Sequence, residues 1–489
     1  MDISRKKIQY QVIDELDSAG LPYDNESVEY ITEKRLKKEI KDGIQSFSYQ
    51  INTISGSNGQ SPFLTLFIYL SDPDYGDDPQ IKHDTALLAE EVFKQRIKGI
   101  KNEDGIWVSQ TFPKLVYVLD EDNISKDSEY FWLTKLACQT ISKRMAPDFV
   151  SAKVMKELKG DVYGPMGCRS FLTPDPIGHK YKGRFNQGVV TLNLPHIALS
   201  SGGDLEKFWN IFDERMKLIK KALITRHKTL KGTSPEVAPI LWKHGALARM
   251  EEDTIDNLLY GNNSTISIGY AGLYETVKYM TGLSHTDNNA KEFAFAVLQF
   301  MNDKANLWKE ETNLNFSVYG TPLESTTKKL SDSLKNDFGV VEGITDKDYV
   351  TNSFHVSPSE EIDAFSKLSL ESQFQELSPG GVISYVELPN MDGNLEAMIA
   401  LAQYIYNNIM YAELNLRLDV CHECGFTGEM DMIKDENNKR IWQCPSCKNT
   451  EQDNMTVIRR VCGYLGNISK NGANQGRLAD IEARVLHLK

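Results

Sequence analysis

Cys421-His422-Glu423-Cys424 and Cys444-Pro445-Ser446-Cys447 form a C-x2-C-x19-C-x2-C pattern. Each C-x2-C can present two thiolates from one tight turn, and two such knuckles supply the four soft ligands of a tetrahedral zinc site. An iron–sulfur cluster or a redox dithiol pair are the alternatives. A site closed by four thiolates has no open position for substrate, so zinc here organises the fold, and His422 is a bystander. Zinc ribbons also bind nucleic acid, but the segment between the knuckles, GFTGEMDMIKDENNKRIWQ, mixes both charge signs and has little aromatic surface on which bases could stack.

The other three cysteines, Cys138, Cys168 and Cys462, stand apart. Seven cysteines with four in one stretch are a poor disulfide framework, and reduced thiols are expected. Cys168 sits in PMGCRSFL with Gly164 and Gly167 nearby, which suit a loop tip, although a lone cysteine commonly serves as a small buried hydrophobe. Gly463, in RVCGYLG, reads by spacing alone as a turn glycine beside a buried cysteine. Thr321-Pro322-Leu323-Glu324 has the form of a capping box and predicts a helix start. The free N–H groups and positive dipole end of such a start can receive a phosphate or simply be capped. The loop containing Ser57 and Asn58 has similar potential.

The elements that must position these residues follow from apolar patterning. The chain has 489 residues, 40 % hydrophobic and 25 % charged, which is globular composition with room for two or three domains or one large α/β barrel with additions. A net charge of −13 argues against nucleic acid or anionic membrane as general partners. No apolar run approaches the roughly 18 residues that span a bilayer. Phe63–Leu70 reads as a buried strand instead, and the N-terminus, MDISRKKIQYQV, carries no apolar signal core, so a cytoplasmic site is expected. A polar helix is predicted over 31–51, helices over 128–144, 287–312 and 394–411, and strands over 114–119, 189–194, 265–268, 315–319 and 382–388. After Asp204 the residues Leu205, Phe208, Phe212, Met216 and Ile219 recur at helical spacing and predict one buried stripe. Repeated strand–helix alternation implies α/β architecture with at least partly parallel pairing.

Several separated stretches are similar to anaerobic ribonucleoside-triphosphate reductases: SGSNGQSPF, SKRMAPDFVSAK, PMGCRSFL, GRFNQGVVTLNLPHIAL, YGTPLE, TNSFHVS, GGVISYVELP and RVCGYLG beside the zinc pattern. The resemblance runs from about Ile31 to the end. It implies a ten-stranded glycyl-radical-type α/β barrel over 31–418, preceded by a helical extension over 1–30. A zinc module over 419–453 and a radical loop with tail over 454–489 follow. It makes Gly463 the radical glycine, with Gly466 as the fallback and Cys462 a packed neighbour, and Cys168 the thiyl that attacks ribose. Met166 would interact with sulfur radicals, and Asn186 would hold the ribose hydroxyls, because an amide both donates and accepts; turn capping is its alternative role. Thr321, Pro322, Glu324, Ser57 and Asn58 become candidates for the substrate triphosphate.

The implied cofactors are Zn2+, a glycyl radical and formate as reductant. The implied partners are a radical S-adenosylmethionine activating protein, nucleotide substrate and effectors, and a second copy in a homodimer. A glycyl-radical lyase is the near alternative, but such lyases generally lack the zinc module. An N-terminal segment with a barrel strand and a second active-site cysteine has no match here, and Cys138 lies on a helix pattern. The expectation is a separately encoded segment of about a hundred residues that pairs with the open barrel edge, or else an inactive remnant.

Overall fold

A computed structural model of the chain describes residues 1–54, 63–72, 78–101, 107–172, 183–245, 247–460, 463–469 and 473–488. Ser57, Asn58 and Cys462 lie outside them. The chain divides into two compact units, residues 1–148 with 392–403, and residues 149–391 with 404–489.

In the first unit, α1 (Asp2–Ser18) and α2 (Asn25–Thr53) form a helical hairpin. Ile8 and Val12 meet Val28, Leu36 and Ile40 in one buried cluster. The helix predicted over 31–51 starts earlier because Asp24 caps it, its carboxylate accepting from Ser27 N at 2.8 Å. The apolar run after Phe63 forms β1 (Thr65–Ile68), parallel to β2 (Lys114–Leu119), with Thr65 opposite Lys114. Between them runs α3 (Pro79–Lys98), and α4 (Phe131–Arg144) follows. Every residue of β2 is buried, as expected for a strand covered on both faces. Cys138 is wholly buried on α4, and that burial pushes its thiol pKa up to about 12.

In the second unit, β3 (Asp148–Ser151) leads into α5 (Ala152–Lys159), and a hairpin at Met166–Ser170 follows. Strand β4 (Phe185–Asn193), α6 (Leu194–Ser201) and the long α7 (Leu205–Leu230) come next. On α7 the predicted stripe is buried at Phe208, Phe212, Met216 and Ile219, whereas Leu205 is 55 % exposed. Leu205 is the first residue after the Asp204 cap, in the end turn of the helix.

Strand β5 (Ser264–Ala271) lies between β4 and β6 (Phe316–Gly320), all parallel. Helices α8 (Leu273–Thr281) and α9 (Asn288–Thr312) connect β5 to β6, and α10 (Thr326–Phe338) and α11 (Ala364–Glu376) lie between β6 and β7 (Ser384–Glu387). After α12 (Leu395–Asn408), whose residues up to Gln403 belong to the first unit, comes β8 (Tyr411–Asn415), parallel to β7 and antiparallel to β3. Gly381 bridges Tyr319 at the end of β6 and Ser170 of the hairpin, so it joins the two strand groups. The α/β architecture is present, with β4, β5 and β6 parallel in one sheet and β8 between β3 and β7 in another. No helix among the described residues is long and apolar enough to cross a membrane.

Beyond β8 lie β9 (Asp419–Cys421), the hairpin β10 (Asp431–Lys434) and β11 (Arg440–Gln443), then β12 (Met455–Thr456), β13 (Ile458–Arg460), β14 (Leu465–Asn467) and α13 (Gln475–Glu482). Cys421, Cys444, Met430, Trp442, Val457, Ile468, Leu478 and Ile481 share one core. The cysteine module and the glycine hairpin are therefore packed as a single body.

Gly269 in the middle of β5 shows how tightly the parallel strands are filled. A methyl there would lie 2.7 Å from Thr191 Oγ1 and 2.8 Å from Val189 Cγ2, and closer still to Thr321 Oγ1. Gly269→Ala should lower stability by about 1–3 kcal/mol, read as a reduced urea midpoint; an unchanged midpoint would show that this face yields more easily than its packing implies.

Candidate active site and cysteine centre

Cys168 stands at the tip of a short hairpin. Met166 N donates to Ser170 O at 2.7 Å and Ser170 N returns a bond to Met166 O at 3.2 Å. Gly167 takes φ +59° at the turn, a conformation glycine adopts at little cost. The exit strand is fixed by Phe171 N donating to Gly380 O at 2.9 Å and Val382 N to Arg169 O at 3.1 Å. A methyl on Gly380 would sit 2.8 Å from Val318 O, and one on Gly381 would enter the Tyr319 ring, so the Gly-Gly pair is what lets the hairpin cross the end of β6.

Two buried cations hold the root of this hairpin. Arg169 is fully buried, and its guanidinium donates to the hydroxyls of Tyr385 and Ser353. Lys159 Nζ donates to Pro379 O at 2.5 Å and Leu172 O at 3.4 Å. Burial, reinforced by Arg184 and Lys309, pushes the Lys159 pKa down to about 7.

Gly463 lies directly on Cys168. A methyl on Gly463 would fall 2.6 Å from Cys168 O, 2.7 Å from its Cβ and 2.8 Å from its carbonyl carbon. Only a bare α-carbon fits. Strands β13 and β14 form the hairpin below it, with Arg459 opposite Gly466 and Arg460 opposite Leu465. Gly463 therefore belongs to the hairpin tip, whereas Gly466 is a paired strand residue.

At the sulfur itself stands Glu324, whose Oε1 is 4.0 Å from Cys168 Sγ. Here the capping-box expectation fails: α10 begins at Thr326 with Ser325 before it. Thr321 Oγ1 instead bonds Thr191 Oγ1 at 2.9 Å, and Leu323 N donates to Asn352 Oδ1 at 2.9 Å. These tertiary bonds hold residues 321–323 as a loop after β6, and Glu324, at φ 44°, turns its carboxylate to the sulfur.

Met166 is partly exposed at the base of the Cys168 hairpin. Asn186 engages its amide inside the sheet, Nδ2 donating to Ser267 Oγ at 2.6 Å and Oδ1 accepting from Gly188 N at 2.7 Å. It sits at the register shift of β4 against β5. The structure thus brings Cys168, Gly463 and Glu324 together and groups Thr321 with Thr191 and Gly269. Arg169, Lys159 and Asn352 were not foreseen as site residues, although Arg169 lies inside PMGCRSFL and Asn352 inside TNSFHVS.

The four cysteines converge as their spacing predicts. Their sulfurs lie within 4.8 Å of one another, with Cys421–Cys447 and Cys424–Cys444 both at 3.7 Å. Tetrahedral zinc with bonds of about 2.3 Å needs sulfurs about 3.8 Å apart, so the residues fit that ion. The two knuckles share one geometry. Cys421 N and Cys444 N donate to Phe426 O and Asn449 O, while Gly425 N and Lys448 N donate back to Cys421 O and Cys444 O. Gly425 and Lys448 both take positive φ. His422 turns away to Thr456 Oγ1 at 2.8 Å.

Residues 11–487 match the family model described as anaerobic ribonucleoside-triphosphate reductase. The chain belongs to that family. It is 36 % identical over 463 residues to the anaerobic ribonucleoside-triphosphate reductase of Escherichia coli (strain K12), covering 93 % of this chain and 62 % of that one. With the enzyme of Enterobacteria phage T4 it shares 38 % over 467 residues, 93 % of this chain and 73 % of the phage protein. A solved structure described as an anaerobic ribonucleotide reductase superposes with a TM-score of 0.66 at 20 % identity, covering 98 % of this chain and 71 % of that one, which establishes a shared fold. The chain spans 62 % of the length of the bacterial relative.

Zinc should co-purify at one ion for the one four-cysteine cluster. Cys444→Ser should release it and loosen the shared core. Metal analysis of carefully prepared protein that finds iron, or none, would defeat the zinc assignment.

Proposed function

We propose that this chain is the catalytic part of an anaerobic ribonucleoside-triphosphate reductase built on a glycyl-radical barrel of ten strands, acting in the cytoplasm. One observation carries the reading: Gly463 is in direct contact with Cys168, so close that a methyl on the glycine would fall 2.7 Å from the cysteine Cβ, and a hydrogen-atom relay between the two residues needs such proximity. A glycine can store the radical because an α-carbon without a side chain flattens readily and spreads spin onto its neighbouring amides.

In this reading a radical S-adenosylmethionine activating protein removes a hydrogen atom from Gly463. The glycyl radical takes the hydrogen of the Cys168 thiol, and the thiyl takes the 3′ hydrogen of the ribose. Asn186 holds the ribose hydroxyls, and Met166 meets sulfur radical intermediates. The 2′ oxygen leaves as water, two electrons come from formate as it is oxidised to carbon dioxide, and Cys168 returns its hydrogen to C3′. Overall, the triphosphate, formate and a proton yield the 2′-deoxy triphosphate, carbon dioxide and water.

Thr321, Pro322, the start of α10, Ser57 and Asn58 would receive the triphosphate. Glu324, whose negative charge disfavours a phosphate neighbour, would face the sugar. Zinc on the four cysteines would hold the fold. A homodimer with nucleotide effectors, and a segment carrying the second cysteine, on this polypeptide's continuation or on a separate one, complete the proposal.

Anaerobic activation should produce a glycyl electron-spin signal, and air should then cut the chain just before Gly463. Gly463→Ala should abolish both. Cys168→Ser should keep the signal and stop nucleotide reduction; turnover in that variant, or a cut before Gly466, would refute the assignments.

A further inference from the structure

What fixes the Gly463 tip is its stem. Arg459 and Arg460 are consecutive on β13 and point to opposite faces, as strand geometry demands. Both are buried. Arg459 grips both carboxylate oxygens of Asp419 on β9, with Nη2 to Oδ2 at 2.7 Å, and lies over the Trp442 ring at 5.2 Å. That contact stays within the cysteine module.

Arg460 faces the other way, to β8. Its Nε lies 3.1 Å from Glu413 Oε2 and 3.3 Å from Asn415 Oδ1, and its carbonyl accepts from Arg477 Nη2 at 2.8 Å. The arginine side chain is 3 % exposed and that of Glu413 0 %. β8 pairs with β7 from Ala412–Ser384 to Asn415–Glu387, and β7 follows the Gly380–Gly381 step that anchors the Cys168 hairpin. The Arg460–Glu413 pair therefore ties the glycine hairpin to the strands that carry the cysteine hairpin.

We propose that the Arg460–Glu413 ion pair is the positioning contact that seats Gly463 on Cys168. A buried ion pair adds little net stability, but removing one of its charges leaves the other less compensated in a medium that solvates it poorly, so the pair favours one seating of the hairpin. On the radical reading above, the pair then governs one balanced step. A C–H bond forms at Gly463 as the S–H bond of Cys168 breaks, and the unpaired electron passes from carbon to sulfur.

The first test needs no radical. Alkylation of Cys168 by iodoacetamide in the full, unactivated chain, followed by peptide mass, reports whether the Gly463 tip still packs against the partly exposed cysteine. Glu413→Gln should label Cys168 about fivefold faster or more through local opening, and Glu413→Asp, which keeps the charge, should remain close to the native rate. A native rate in Glu413→Gln, or equal acceleration in both variants, overturns the proposal. If circular dichroism and metal content show that Glu413→Gln does not fold, Arg460→Gln, which also removes one charge of the pair, replaces it: faster labelling supports the pair and a native rate overturns it.

The second test uses the activated protein. Exchange of the Gly463 α-hydrogen with D2O through the Cys168 thiol should be slowed in the same variant while the spin signal is kept. Native protein that never acquires a glycyl signal would sink the radical reading and leave the labelling result standing. A normal signal with native labelling and exchange in the variant would sink the pair alone.

Discussion

The site depends on one contact, the close approach of the Gly463 α-carbon to the backbone and Cβ of Cys168. A side chain at position 463 would push the hairpins apart. The surrounding structure serves to make that approach the lowest-energy arrangement. The Gly380–Gly381 step, the turn at Gly167 and the absence of a Cβ at Gly463 each remove an obstacle to backbone meeting backbone.

Order is imposed at the roots of the hairpins. Lys159 and Arg169 reach buried carbonyls and hydroxyls beneath Cys168, and Arg459 and Arg460 reach buried carboxylates beneath Gly463. A charged or polar donor buried without its acceptors is costly, so each root has one favoured seating. The depressed pKa of Lys159 is the electrostatic mark of that burial. Its acceptors among the described residues are the carbonyls of Leu172 and Pro379, and through them it orders the chain.

The cysteine module belongs to the same construction. Its sulfurs converge from two knuckles whose buried cysteines, Cys421 and Cys444, share a core with Val457 and Ile468, which flank the glycine hairpin, and with Leu478 and Ile481 of α13. Metal binding can thereby stiffen the platform from which Gly463 projects without touching the chemistry.

The sequence by itself determined what depends on local spacing. Two C-x2-C turns place sulfurs in pairs; the 114–119 run and the Phe208–Ile219 stripe bury themselves by composition and period; family motifs single out Cys168 and Gly463. Only the tertiary structure decided what depends on partners remote in the chain. The Thr321–Glu324 segment has every local feature of a capping box, yet Thr191 and Asn352 outbid the helix for its hydrogen bonds, and Glu324 ends beside a sulfur. Leu205 matches the apolar period but sits at the first position of its helix and stays exposed. Lys159, Arg169 and Glu413 are ordinary charged residues until the fold encloses them. Periodicity specifies which face of an element is apolar, but the acceptor that a buried charge meets is fixed only when distant strands are brought into register.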